Sequence, residues 1–144
     1  MGVTFGSSVF IKEIDFSKGI VLDRKHSEKA YAILAHELIH TLQFHRYGFW
    51  EMGFRINRWA GEGYATYATR KLYTIPPESI LHKTYLETFG QKHIPPIYML
   101  FSLMAEHALK RMHYTIDDLH SKKADYDTVY EDMMKYYKIK PYHY

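Results

Sequence analysis

The residues best placed to do chemistry are His36-Glu37-Leu38-Ile39-His40, an H-E-x-x-H pentapeptide within a stretch of helical periodicity. In an α-helix the i,i+4 spacing turns two side chains by only about 40° and separates them by about 6 Å along the axis. Both imidazoles can then reach one metal ion. Glu37 lies beside that face, where its carboxylate can accept a proton from water without itself ligating the metal. The chain has ten histidines and no cysteine. Thiolate zinc, iron–sulfur clusters, a disulfide scaffold and a cysteine nucleophile are therefore excluded, and any metal must be held by His, Asp, Glu or backbone oxygen.

A third ligand decides whether the pentapeptide is a metal site. His45 follows His40 by five residues and points roughly 180° away from His36 if the helix continues. Metzincins place a third His six residues after the second, following a Gly. Here those positions hold Arg46 and Gln43, so that pattern fails. Glu62 stands in Trp59-Ala60-Gly61-Glu62-Gly63-Tyr64-Ala65, a W-x-x-E-G-x-A segment. It is far enough downstream to lie on a second helix beside the first. With both motifs in hand, residues 3 to 70 resemble the gluzincins, zinc metallopeptidases whose third ligand is a Glu on the helix after H-E-x-x-H. The W-x-x-E-G-x-A form is that of their aminopeptidase branch.

The resemblance implies Zn2+ held by His36, His40 and Glu62, water in the fourth position and Glu37 as general base. It implies a peptide or protein substrate, laid along an edge strand for which residues 3 to 11 are the one available segment. Thermolysin-like members carry an acidic residue four positions after the third ligand, orienting one of the His ligands; Thr66 stands there in this chain. The Gly-rich exopeptidase motif of the aminopeptidases has no counterpart, so exopeptidase specificity is not implied. The oxyanion-stabilising Tyr of that branch has three candidates here, Tyr64, Tyr67 and Tyr98. Gln43 shares the His36/His40 face, as a second contact to a ligand or as packing.

The elements that must position these residues are legible from periodicity and turn residues. Val3-Thr4-Phe5, Val9-Phe10-Ile11 and Ile20-Val21-Leu22 read as short strands, separated by Gly- and Ser-containing turns. A helix is expected from about Ser27, as N-cap, to Tyr47, with Gly48 as its stop. Tyr31, Leu34, Leu38 and Leu42 form its apolar stripe, opposite His36, His40 and Gln43. Further helices are expected over about 56–73, 79–89, 97–112 and 127–137, with Pro76-Pro77 and Pro95-Pro96 as breaks. Tyr98, Phe101, Met104, Ala105 and Ala108 form a core stripe on the fourth. The expected fold is α+β: one domain over 1–144, minimal and zincin-like. A short N-terminal β-sheet precedes a metal-binding helix, a second ligand helix and a helical C-terminal half.

The remaining composition mainly excludes. A net charge of +3 with 24% charged and 47% hydrophobic residues describes a globular protein, and does not imply nucleic acid. The longest nearly apolar run, residues 97–105, is about half a membrane span. No signal-peptide pattern is visible, and the expected location is cytoplasmic. Oligomeric state is left open. His26, His82, His93, His107, His113, His120 and His143 read as structural or solvated. Arg55, Arg58, Arg70 and Lys71 read as a solvated face bordering the cleft, and residues 138–144 as a tail. Three function classes stay open: a zinc peptidase, a catalytically inactive zinc-stabilised binding module, and a basic partner-binding domain.

Overall fold

The structure, a computed structural model, describes residues 2–5, 8–11, 14–15, 17–18, 20–22, 27–72, 97–121 and 123–139. The β-branched and aromatic runs near the N-terminus form strands by local pairing. Strand β1 (Gly2–Phe5) pairs antiparallel with β2 (Ser8–Ile11), with Val3 opposite Phe10. A separate three-stranded sheet has the order β3 (Ile14–Asp15), β4 (Ile20–Leu22) and β5 (Ser27–Lys29), again antiparallel. Ser27, expected as a helix cap, belongs to β5. The expected helix over 79–89 and the Pro pairs lie outside the described residues, as does most of the tail.

The helices carry the fold. Helix α1 (Ala30–Trp50) contains the H-E-x-x-H segment and is interrupted at Gly48, whose φ of 83° is readily adopted only without a Cβ. A π-helical turn (Glu51–Arg55) leads into α2 (Arg58–Thr69). Then follow α3 (Ile97–Lys110), the single-turn α4 (Ile116–Leu119) and α5 (Tyr126–Tyr136). The expected α+β class with one N-terminal sheet is therefore corrected: the domain is mostly helical. Among the described residues its strands are two to four residues long and sit in two separate sheets, both in contact with α1.

The core lies among α2, α3, α4 and α5, around Trp59, Ala60, Phe101, Met104, Ala105, Ala108, Leu119, Val129 and Met133. The expected stripe on α3 is buried except Tyr98, which is partly exposed and accepts a bond from Arg58 Nη2 at 3.3 Å. A buried charge on α3, Glu106, is matched by Arg70 from the end of α2 and by Lys110 one turn on. Each carboxylate oxygen has its own cation, and a desolvated carboxylate without such partners is costly.

Helix α1 inverts the usual amphipathic arrangement. Its expected core stripe is exposed: Tyr31 52%, Leu34 43%, Leu38 48% and Leu42 63%. Its buried residues are Ala32, Ile33, Glu37 and Gln43. The face turned toward α2 is the polar one, because that face completes the site described below.

Close approach of α2 to α3 is set by Gly63. A Cβ built there would lie 2.4 Å from the carbonyl oxygen of Phe101, a backbone atom that cannot swing aside. Gly63→Ala is expected to lower stability by about 1–3 kcal/mol, the usual cost of overpacking. Gly61→Ala meets nothing nearer than Met52 Cε at 3.9 Å. It is expected to be neutral or to gain up to about 1 kcal/mol of helix propensity. Urea denaturation of the two variants checks the contrast; equal stabilities would mean that the helices are not held at this spacing.

Candidate metal centre

Helix geometry brings His36 and His40 onto one face of α1, and packing of α1 on α2 brings Glu62 to them. His36 Nε2 lies 3.1 Å from His40 Nε2, and each lies 3.3 Å from Glu62 Oε2. Among the described residues these three form the one group of His, Asp or Glu able to share an ion. The distances suit a small cation. An ion holding ligands tetrahedrally at about 2.0–2.1 Å separates the ligand atoms by about 3.3 Å. Two imidazole nitrogens and a carboxylate oxygen are also the donor set that zinc takes at catalytic sites.

The electrostatics point the same way. Burial works to raise the Glu62 carboxyl, but the contacts from His36 and His40 outweigh it and hold the group at about 2. Glu62 is thus an anion over the whole physiological range. Burial works to lower the His40 imidazole, yet its bonds with Glu62 and Gln43 and the nearby charges of Glu62 and Glu37 raise it. Positive charge between these lone pairs is favoured. A proton supplies it weakly and a divalent ion strongly. The side chains of His36, His40 and Glu62 keep 15%, 12% and 24% exposure, enough for one side of the site to remain open.

Glu37, the expected base, is buried beside His40 and contributes to that imidazole's raised basicity. Gln43 is buried and bonded to His40, with Nδ1 of the ring 2.7 Å from the amide oxygen. Thr66 is buried on α2, one turn beyond Glu62.

The other residues weighed from the sequence do not belong to that group of three. His45 is exposed and outside the ligand group. Tyr64 meets His120 edge-on at 5.5 Å between centroids and packs against the core. Tyr67 lies under the Arg70 guanidinium at 4.8 Å. Arg55 pairs with Glu51 on an exposed surface. Of residues 3 to 11, those in Gly2–Phe5 and Ser8–Ile11 belong to the β1–β2 pair, whose side chains lie outside the described residues.

His120, read from the sequence as structural or solvated, is buried, and it adjoins the site through Gln43. Its Nε2 lies 2.8 Å from Gln43 Nε2, and its ring stacks on Tyr47 with centroids 5.0 Å apart. The turn that carries it has a reciprocal cap, Thr115 with Asp118, and burial keeps the His120 imidazole below its ordinary basicity. That cap (T-x-x-D) is visible in the sequence as a helix start, with a histidine just past the helix end. Arg46 and Tyr47 on α1 both bond Asp117, at 2.7 and 2.8 Å, tying α4 to α1. No helix among the described residues is long and apolar enough to cross a membrane. Comparison of the chain with protein families, curated proteins and solved structures finds no match in any of the three.

Proposed function

We propose that this chain is a zinc-dependent hydrolase of the gluzincin kind, cleaving peptide bonds. The observation that carries the reading is the convergence of His36 Nε2, His40 Nε2 and Glu62 Oε2 within 3.1–3.3 Å, beside a buried Glu37. A purely structural zinc site is closed by a fourth protein ligand; the three-residue set leaves a coordination position for water or substrate. A bound zinc ion supplies Lewis acidity toward a carbonyl and lowers the pKa of water to about 7. Within the chain, Glu37 accepts the proton of the attacking water and delivers it to the leaving amine. His36 and His40 contribute neutral nitrogen donors and Glu62 one negative charge, so ion and ligands together keep a charge of about +1 to offset a developing oxyanion. The resemblance of the H-E-x-x-H and W-x-x-E-G-x-A segments supports a peptide as substrate.

Purified protein is expected to carry about one zinc ion per chain and to cleave an unstructured protein such as casein. Treatment with 1,10-phenanthroline is expected to stop cleavage, and added zinc to restore it. Protein that takes up no zinc overturns the metal centre. Protein that holds zinc and cleaves neither casein nor a quenched-fluorescence peptide library is a zinc-stabilised module, and the hydrolase reading fails.

A further inference from the structure

The contacts behind His40 have only one consistent set of donors and acceptors. His120 Nδ1 lies 2.8 Å from the carbonyl oxygen of Ile116, which can only accept, so Nδ1 carries the proton. In the neutral imidazole Nε2 is then an acceptor, and the group facing it at 2.8 Å must donate. That group is the Gln43 amide nitrogen, which also donates to the carbonyl oxygen of Gly61 at 3.2 Å. The Gln43 amide is thereby oriented from two sides, with its oxygen turned to His40 Nδ1 at 2.7 Å. His40 Nδ1 must donate, which leaves the Nε2 lone pair directed at His36 and Glu62. Two main-chain carbonyls, on α4 and α2, anchor the whole series.

We propose that Gln43 and His120 are positioning residues that fix the tautomer and ring plane of His40 for metal binding. The inference rests on the reading of His36, His40 and Glu62 as a metal centre. A ligand imidazole gains from a partner on its other nitrogen, which sets ring orientation and raises donor strength. Here the partner is a neutral amide, itself held by a second histidine that reaches the site from some eighty residues downstream. Tyr47 stacked on one face of His120 and Tyr64 at its edge hold the second ring in plane.

The test is zinc affinity, measured by competition with a chromophoric chelator, for His120→Phe, Gln43→Leu and the double variant. Each single variant is expected to bind zinc roughly 10- to 100-fold more weakly. The double variant is expected to be little worse than Gln43→Leu, because both changes cut one series. Far-ultraviolet circular dichroism and the melting temperature of the metal-free proteins report whether the helices survive. Nitrogen-15 spectra of the wild-type histidines supply a readout that does not depend on stability. They are expected to show Nδ1-protonated tautomers for His120 without metal and for His40 with zinc. Folded single variants with wild-type affinity, independent losses that add in the double variant, or an Nε2-protonated His120 would overturn the relay while leaving the metal centre standing. Wild-type protein that binds no zinc overturns the metal centre itself.

Discussion

Glu37→Gln is expected to keep about one zinc per chain and to lose peptide hydrolysis by roughly 100- to 10,000-fold, the range for removal of a general base. The amide matches the carboxylate in size, so the buried place beside His40 stays filled. It cannot take a proton from water at neutral pH. It also lies outside the group of residues able to share an ion, so metal content should not follow activity. Metal analysis and casein cleavage on the same preparation separate the possibilities. Wild-type cleavage by the variant means that another group is the base. Loss of zinc together with activity means that Glu37 acts by holding the site together. The substitution also removes a negative charge that favours a cationic His40. Zinc affinity is therefore expected to fall slightly rather than to rise.

The grouping of His36, His40 and Glu62 was legible in the sequence because helical geometry fixes most of it. Four residues bring His36 and His40 together whatever surrounds them, and the W-x-x-E-G-x-A segment marks a second helix carrying Glu62. The small residues of that segment also signal close approach of another helix, and Gly63 meets the Phe101 backbone. His120 was not legible. Its bond to Gln43 crosses 77 positions, and a histidine after a short capped turn looks like any solvated one. The burial pattern of α1 misled for a physical reason. An apolar stripe normally faces the core because apolar burial outweighs the alternatives. In α1 the polar face is turned toward α2, where its His, Glu and Gln side chains find one another and Glu62, and Leu38 and Leu42 remain exposed. The sheet failed as an expectation for another reason. Strand propensity and turn residues locate short strands, but they do not say whether successive pairs merge into one sheet. Here they form two.

The other large effect belongs to Glu62→Ala. The two imidazoles share a single helix, so they can remain near each other without α2. In the proposed site Glu62 is the ligand through which an ion joins α1 to α2. In wild-type protein, zinc at 100 times its dissociation constant is expected to add about 2.7 kcal/mol of stability. For a chain of this length that raises the melting temperature by roughly 5–10 °C. Glu62→Ala is expected to lose this zinc-dependent rise, while the metal-free variant keeps the helical spectrum of wild type, because Ala is the better helix former. The acid limb offers an independent check on metal-free protein. A carboxyl held at about 2 instead of its ordinary 4.5 contributes stability above that ordinary value, and the contribution is lost as pH falls toward 2. The variant lacks that contribution at every pH. Its stability should therefore fall less steeply than that of wild type between those limits. Glu62→Gln keeps a weaker oxygen donor and no charge, and its zinc affinity should fall between the other two. If Glu62→Ala melted with the full zinc-dependent rise, the ion would be held by α1 alone, and the pairing of α1 with α2 would have no part in the site.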